Sequence, residues 1–199
     1  MSEHIRHDRD IREDLFEFLE NCYGRVRFLE ELTVGRARAD IVMVTPNALY
    51  GIEIKSDADT YTRLPAQVRN YNKFFDYNFI AAGSTHAHHA AEHVPEHWGI
   101  ISMEVVDGKA DFYIVRLPRR NPKCALKNKL SILWRPELAE IQQRNGMFRY
   151  RERSKKFVQE KILEKIEAER LHEEISAELF ERDYTMIEKQ IDDFRRGIR

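Results

Sequence analysis

Ala39-Asp40-Ile41-Val42-Met43-Val44, the turn Thr45-Pro46-Asn47, then Ala48-Leu49-Tyr50-Gly51-Ile52-Glu53-Ile54-Lys55 is the stretch on which the fold turns. Two β-rich runs around a short Pro-Asn turn read as an antiparallel hairpin. Side chains alternate along a strand, so Glu53 and Lys55 are expected on one face and Ile52 and Ile54 on the other. The charged pair then meets a cleft and the isoleucines meet a core. Hairpin pairing brings the Asp40 carboxylate beside that of Glu53.

Two carboxylates held side by side repel unless a cation lies between them. Mg²⁺ suits such a site, because it takes hard oxygen ligands and leaves its other positions to water and phosphate. A metal there polarises a phosphate and lowers the pKa of an attacking water. Lys55, two residues past a ligand, would orient that water or neutralise charge on the phosphoryl oxygens. A lone Glu-x-Lys also fits a surface ion pair on an edge strand, so the flanking sequence has to decide.

Upstream lies Arg36-Ala37-Arg38-Ala39-Asp40-Ile41, and Glu53-Ile54-Lys55-Ser56 runs on through Asp59-Thr60 and Arg63-Leu64 to Gln67 and Tyr71. On these residues the chain resembles the PD-(D/E)XK nuclease superfamily, which has the restriction-endonuclease-like fold. More closely it resembles a bacterial and phage family within it that shares Arg-x-Asp-Ile, Glu-Ile-Lys-Ser, Asp-Thr, Arg-Leu, and Gln then Tyr on the next helix. Val94-Pro95 and Trp98-Gly99-Ile100 also match. The resemblance runs from about residue 8 to residue 105 and is most specific from Arg36 to Tyr71. It departs at Ala39, where the superfamily's name has proline; that proline shapes backbone, so the metal site is little affected.

The resemblance implies Asp40 and Glu53 as metal ligands, Lys55 as the catalytic lysine, Mg²⁺ or Mn²⁺ as cofactor, and a supporting or DNA-facing role for Gln67. Arg38, Arg63 and Tyr71 lie within the same motifs and are candidate supporting residues. In the superfamily the first helix often lends a glutamate. Here Ile11, Leu15, Phe18 and Leu19 recur at helical spacing from Asp10 to Glu20, and the candidates are Glu13 and Glu17. The competing account is a helix cap at Asp10 with Glu13 as a first-turn acid. Pro65 suits a first helical turn, and Leu64, Val68, Tyr71 and Phe75 form the inward stripe of that helix.

His86, His88, His89, His93 and His97 raise the question of zinc. Neither Cys22 nor Cys124 has the paired spacing of a closed site, and Ala87, Ala90 and Ala91 interleave with the histidines. A small helix with imidazoles on its outer face is the expectation. Two cysteines give no disulfide framework, and neither a leader nor a bilayer-length apolar run is recognisable, so a reducing cytoplasm and no membrane are expected.

The 199 residues carry a net charge of only −1, unevenly placed. Residues 119–156 hold twelve Lys and Arg against three Glu, whereas residues 1–118 hold thirteen against nineteen acids. Acids around a metal and a basic segment elsewhere suit a phosphodiester-cleaving protein with a separate backbone grip. Arg149, Arg151, Arg153, Lys155 and Lys156 are the candidate nucleic-acid contacts, the alternative being a solvated basic face.

Strands are expected around Arg25 to Leu32, from Asn78 to Gly83, from Trp98 to Val105 and from Asp111 to Leu117. With the helices between them they give α/β class: a mixed sheet flanked by helices, with a helical C-terminal extension. Residues 1–118 are read as the nuclease-like domain and 119–199 as a basic, then helical region that packs, dimerises or binds DNA. That region should hold a short apolar strand or turn ending at Trp134, a helix from Pro136 to Asn145, a long helix from Ser154, and a last helix capped at Thr185-Met186-Ile187-Glu188. Two functions are open: a Mg²⁺-dependent nuclease acting on DNA, or a non-catalytic nucleic-acid-binding, phage or mobile-element accessory protein on the same fold. A homodimer is compatible with either.

Overall fold

A computed structural model describes residues 8–56, 59–106 and 109–182. It opens with helix α1 (Asp8–Tyr23), followed by strands β1 (Arg27–Val34), β2 (Ala37–Val44) and β3 (Leu49–Lys55). A 3₁₀ turn at Tyr61–Arg63 leads into α2 (Leu64–Phe74), then β4 (Tyr77–Gly83), α3 (Ser84–His93), β5 (Gly99–Val106) and β6 (Lys109–Arg116). Four helices follow: α4 (Leu126–Ser131), α5 (Arg135–Arg144), α6 (Lys155–Lys165) and α7 (Ala168–Phe180). The capped helix expected at Thr185 lies outside the described residues.

The six strands form one mixed sheet in the order β1-β2-β3-β4-β5-β6, flanked by helices. β1, β2 and β3 are antiparallel neighbours, β4 and β5 run parallel to β3, and β6 returns antiparallel. The parallel steps are the two places where a helix carries the chain back across the sheet, α2 before β4 and α3 before β5, as parallel neighbours require.

Alternation sorts the strands onto two apolar layers. Ile41, Met43, Ile52, Phe79, Ile101 and Phe112 meet Leu15 and Leu19 of α1 on one face. Val42, Val44, Leu49, Ile80 and Ile100 meet α2, α3 and the C-terminal helices on the other. That second layer is continuous from Leu29 and Leu64 to Leu130, Ile141, Ile162, Leu171 and Leu179. Arg27 completes the junction by donating to the Phe180 carbonyl at 2.8 Å. The C-terminal helices therefore complete the core of the sheet, and deleting a side chain such as Phe79 or Leu171 would cost about 2–5 kcal/mol.

The turn expected to end at Trp134 is present at residues 132–134. A helix not foreseen, α4, precedes it; its one buried turn places Leu130 in the core and Lys129 against Asp76 at 2.7 Å. A six-residue helix is too short to show in periodicity, and tertiary contacts hold it. The long helix expected from Ser154 is two, because Ile166 is extended and the Glu167 carboxylate caps a new start by accepting the Glu169 and Arg170 N–H groups. The five-residue step from Ile166 to Leu171, out of phase with the four-residue steps on either side, falls at that corner.

Lys129, fully buried, is the hub of a polar cluster at the base of the sheet. Besides Asp76 it approaches His172 Nδ1 at 3.2 Å and Ser176 Oγ at 3.4 Å, and Asp76 accepts the Leu49 N–H at 2.8 Å. Farther along, Arg182 pairs with Glu137 at 2.6 Å under the Trp134 ring, while the Glu137 carboxylate also caps α5 by accepting the Trp134 N–H.

Candidate functional site

The sheet is distorted where Asp40 sits. Glu31, opposite Asp40, is not a glycine yet has φ 53°, and the cross-strand register steps from Glu30↔Ile41 to Leu32↔Ala39 with no Glu31↔Asp40 pair between. Leu29 and Leu32 consequently face the same apolar layer, as do Val42 and Ala39, so side-chain alternation inverts on both strands at this point. Such a conformation is unfavourable for a side chain other than glycine and persists when surroundings hold it. Arg12 at 2.8 Å and Arg38 at 2.6 Å grip the Glu31 carboxylate.

This twist takes Asp40 out of the β2–β3 ladder, whose last pair is Ile41↔Ile52. Its amide donates to the Tyr71 hydroxyl at 3.1 Å and its carbonyl accepts from Arg12 at 3.3 Å. Its carboxylate accepts the Ile54 N–H at 2.9 Å, a side chain standing where strand backbone would otherwise be. Asp40 is thereby fixed at the mouth of a cleft beside Glu53.

Glu53 is fully buried. One carboxylate oxygen accepts from the Lys55 ammonium at 2.6 Å and from the Gln67 amide; the other accepts from the Tyr71 hydroxyl at 2.8 Å. The strand alternation inferred for Glu53 and Lys55 holds, since Ile52 and Ile54 pack with the α1 layer. α2 delivers Gln67 and Tyr71 because it lies directly on β3: Gly51 has no Cβ, and one built there would collide with the Phe75 and Tyr71 rings.

Burial pushes the Asp40 carboxyl above its ordinary pKa, with the Ile54 N–H, Lys55 and Arg12 opposing. Burial also pushes Glu53 up, and the Asp40 charge adds to it, with Lys55 and Tyr71 opposing. The pair is thus electrostatically loaded. The donors fit a hard divalent cation: two carboxylates, plus a Gln67 carbonyl oxygen that is buried and without a hydrogen-bond partner among the described residues. No group of three or more His, Cys, Asp or Glu converges among the described residues, so any metal here would draw its remaining ligands from water and phosphate.

The cleft encloses about 620 Å³ and is lined by cations, Arg12, Arg36, Arg38, Lys55 and Arg63, against the carboxylates of Asp40, Glu53 and Asp59. Asp59 accepts from the Ser56 N–H and hydroxyl, both at 2.8 Å, and is held ionised: burial raises its pKa, but these bonds lower it further. Asp40, Glu53, Lys55, Gln67, Arg38 and Arg63 therefore line one cleft, with Tyr71 buried beneath. Glu13 and Glu17 do not line it and are exposed on α1. The α1 side chain that enters is Arg12, one residue before Glu13, and no sequence pattern separates it from the other arginines. Arg36, in the β1–β2 turn, is also there without a motif to announce it.

The basic C-terminal residues lie elsewhere. Arg149 donates to Gln143 at 2.6 Å, Arg153 stacks over Phe157, Lys155 donates to the Ser131 carbonyl at 2.9 Å, Lys156 stands 4.0 Å from Glu160, and Arg151 is exposed. The histidines of α3 divide as expected, with Ala87 and Ala90 buried and His88, His89 and His93 exposed. No helix among the described residues is long and apolar enough to cross a membrane.

Fold and cleft together define an α/β protein whose mixed sheet presents paired carboxylates to a cationic groove. Residues 1–195 match the family model described as Bacteriophage P4 protein cII, and the chain belongs to that family. No curated protein is significantly similar to it. Among solved structures, the SPO1766 protein of unknown function from Silicibacter pomeroyi is similar at 21% identity and TM-score 0.48, over 65% of this chain and 82% of that one.

Proposed function

We propose that the chain is a Mg²⁺- or Mn²⁺-dependent phosphodiester hydrolase of PD-(D/E)XK type acting on DNA. The observation that carries this reading is the convergence of Asp40, Glu53, Lys55 and Gln67 from two strands and a helix on one cationic cleft. Asp40 and Glu53 would hold the metal, which when bound supplies a Lewis acid and an acidified water. Lys55 lies 2.6 Å from Glu53 and balances part of its charge. Tyr71 and Gln67 orient the Glu53 carboxylate. Arg36, Arg38 and Arg63 neutralise the incoming phosphates, and Arg12 braces the Asp40 carbonyl. A water gives up a proton to solvent and adds to phosphorus as the bond to the leaving sugar oxygen breaks, and that oxygen takes a proton from solvent.

A second reading is an accessory protein of a phage or mobile element that binds nucleic acid without cutting it; family membership supports the phage part alone. Carboxylates buried against each other's charge weigh against it, since a binding module gains nothing from them. The test incubates wild type, Glu53→Ala and Lys55→Ala with supercoiled, linear and single-stranded DNA in Mg²⁺, Mn²⁺ or EDTA. Cleavage that needs metal and disappears in both variants is expected. Wild-type turnover by either purified variant, or no cleavage of DNA, RNA or branched substrates by the wild type, would favour the binding module.

A further inference from the structure

A second surface outside the cleft has the makings of a binding site. The segment between α5 and α6 follows Gly146, at φ 59°, and carries Phe148, Arg149, Tyr150, Arg151 and Arg153 around a concavity of about 690 Å³ closed by Phe157. The Phe148 ring is 72% exposed. It meets Tyr150 edge-on at 5.3 Å, which meets Phe157 edge-on at 5.2 Å, with the Arg153 guanidinium 5.3 Å from the Phe157 ring centre.

The exposed ring is mounted on a pinned backbone. Gln142, itself buried, donates to the Phe148 carbonyl at 2.8 Å. Arg135 donates to the Tyr150 and Arg151 carbonyls at 3.1 and 3.0 Å, and Met147 and Tyr150 pack against the core. A large apolar side chain held out in water by a rigid loop keeps an unfavourable hydration that a partner's flat apolar face would relieve.

We propose that this loop is a stacking platform for the unpaired bases of a single-stranded nucleic acid. Three arginines alternate with the aromatic residues, against Glu152 within the loop and Glu140, which stands 3.5 Å from Arg149; the surplus of cations matches a chain that offers a π-face and a negative charge at every step. Duplex DNA buries its base faces, so the platform selects frayed ends, flaps or single strands. The choice of partner rests on the nucleic-acid reading of the cleft, but binding at the loop requires no cleavage.

The experiment measures fluorescence anisotropy of a labelled oligo-dT strand, an abasic strand of equal length and a duplex, with the full chain in EDTA at fixed salt. Wild type should prefer the oligo-dT strand to both others. Phe148→Ala should weaken that binding roughly tenfold or more while leaving the melting temperature unchanged, and Phe148→Trp should restore it. Equal affinity for abasic and oligo-dT strands, a Phe148→Ala chain within twofold of wild type, or no binding would overturn the platform. The first of these would leave a charge patch open to any polyanion. A chain that shows the expected pattern here yet never cleaves keeps the platform and loses the hydrolase; one that cleaves with Phe148→Ala binding unchanged does the reverse.

Discussion

The Asp40 carboxylate takes the backbone N–H of Ile54 at 2.9 Å, so a side chain closes the β2–β3 pair where main chain would ordinarily do so. Structure and proposed chemistry thus compete for one group. An asparagine keeps the acceptor for Ile54 and removes the charge that raises Glu53.

Asp40→Asn should accordingly be more stable than wild type without metal, by about 1 kcal/mol or ~2–4 °C. Burial holds the Asp40 carboxyl above its ordinary pKa in the folded chain. As pH rises the unfolded chain loses that proton first, so the penalty is absent below the unfolded value and complete above the folded one. The stability gap should narrow as pH falls through the raised value. Millimolar Mg²⁺ or Mn²⁺ should raise the wild-type melting temperature by a few degrees and leave Asp40→Asn unmoved. Scanning fluorimetry across pH and metal checks all three; an unmoved wild type would argue against a metal site.

Tyr71→Phe removes the hydroxyl that donates to Glu53 at 2.8 Å and accepts the Asp40 amide at 3.1 Å. Polar groups left without that partner cost about 1–3 kcal/mol, readable in urea unfolding. Cleavage should fall through kcat with little change in KM, because Tyr71 supports the carboxylate from below the cleft.

Lys129→Met leaves Asp76 buried without its cation. The expected loss is about 3–5 kcal/mol, against a much smaller loss for Lys129→Met with Asp76→Asn, since the amide keeps an acceptor for the Leu49 N–H. A double-mutant cycle by urea denaturation measures the coupling.

The two thiols should react very unequally. Cys22 is exposed, whereas burial and then the neighbouring Asp76 charge push the Cys124 thiol up to about 12. At pH 8, iodoacetamide followed by mass spectrometry should label Cys22 readily and Cys124 only after denaturation. Equal labelling of the native chain would contradict the packing around Asp76.

What could be read from the residue order is what obeys a period. The two-residue repeat placed Glu53 and Lys55 opposite Ile52 and Ile54, and the helical repeat placed Tyr71 inward with Gln67 beside it. The bend at Asp40 has no such trace, because it depends on Glu31 in a left-handed conformation held by Arg12 from α1 and by Arg38 across the hairpin. The same holds for Arg12 in the cleft and for α4, each created by a partner. The break between α6 and α7 leaves a faint trace, since the step from Ile166 to Leu171 is five residues and falls out of helical phase at the Glu167 cap.

The continuity of one apolar layer from Leu29 to Leu179 also sets a schedule. During synthesis the strands through Arg116 emerge with α2 and α3 already on that face, and α4 to α7, which finish covering it, follow. The Arg27 to Phe180 bond closes only after α7 is made. A nascent or truncated chain lacking α4 to α7 leaves partly bare the apolar layer shared with α2, the helix that holds Gln67 and Tyr71 against Glu53. Synthesis of α4 to α7 thereby licenses the cleft, and a chain cut short before them shows bare apolar surface to protein quality control.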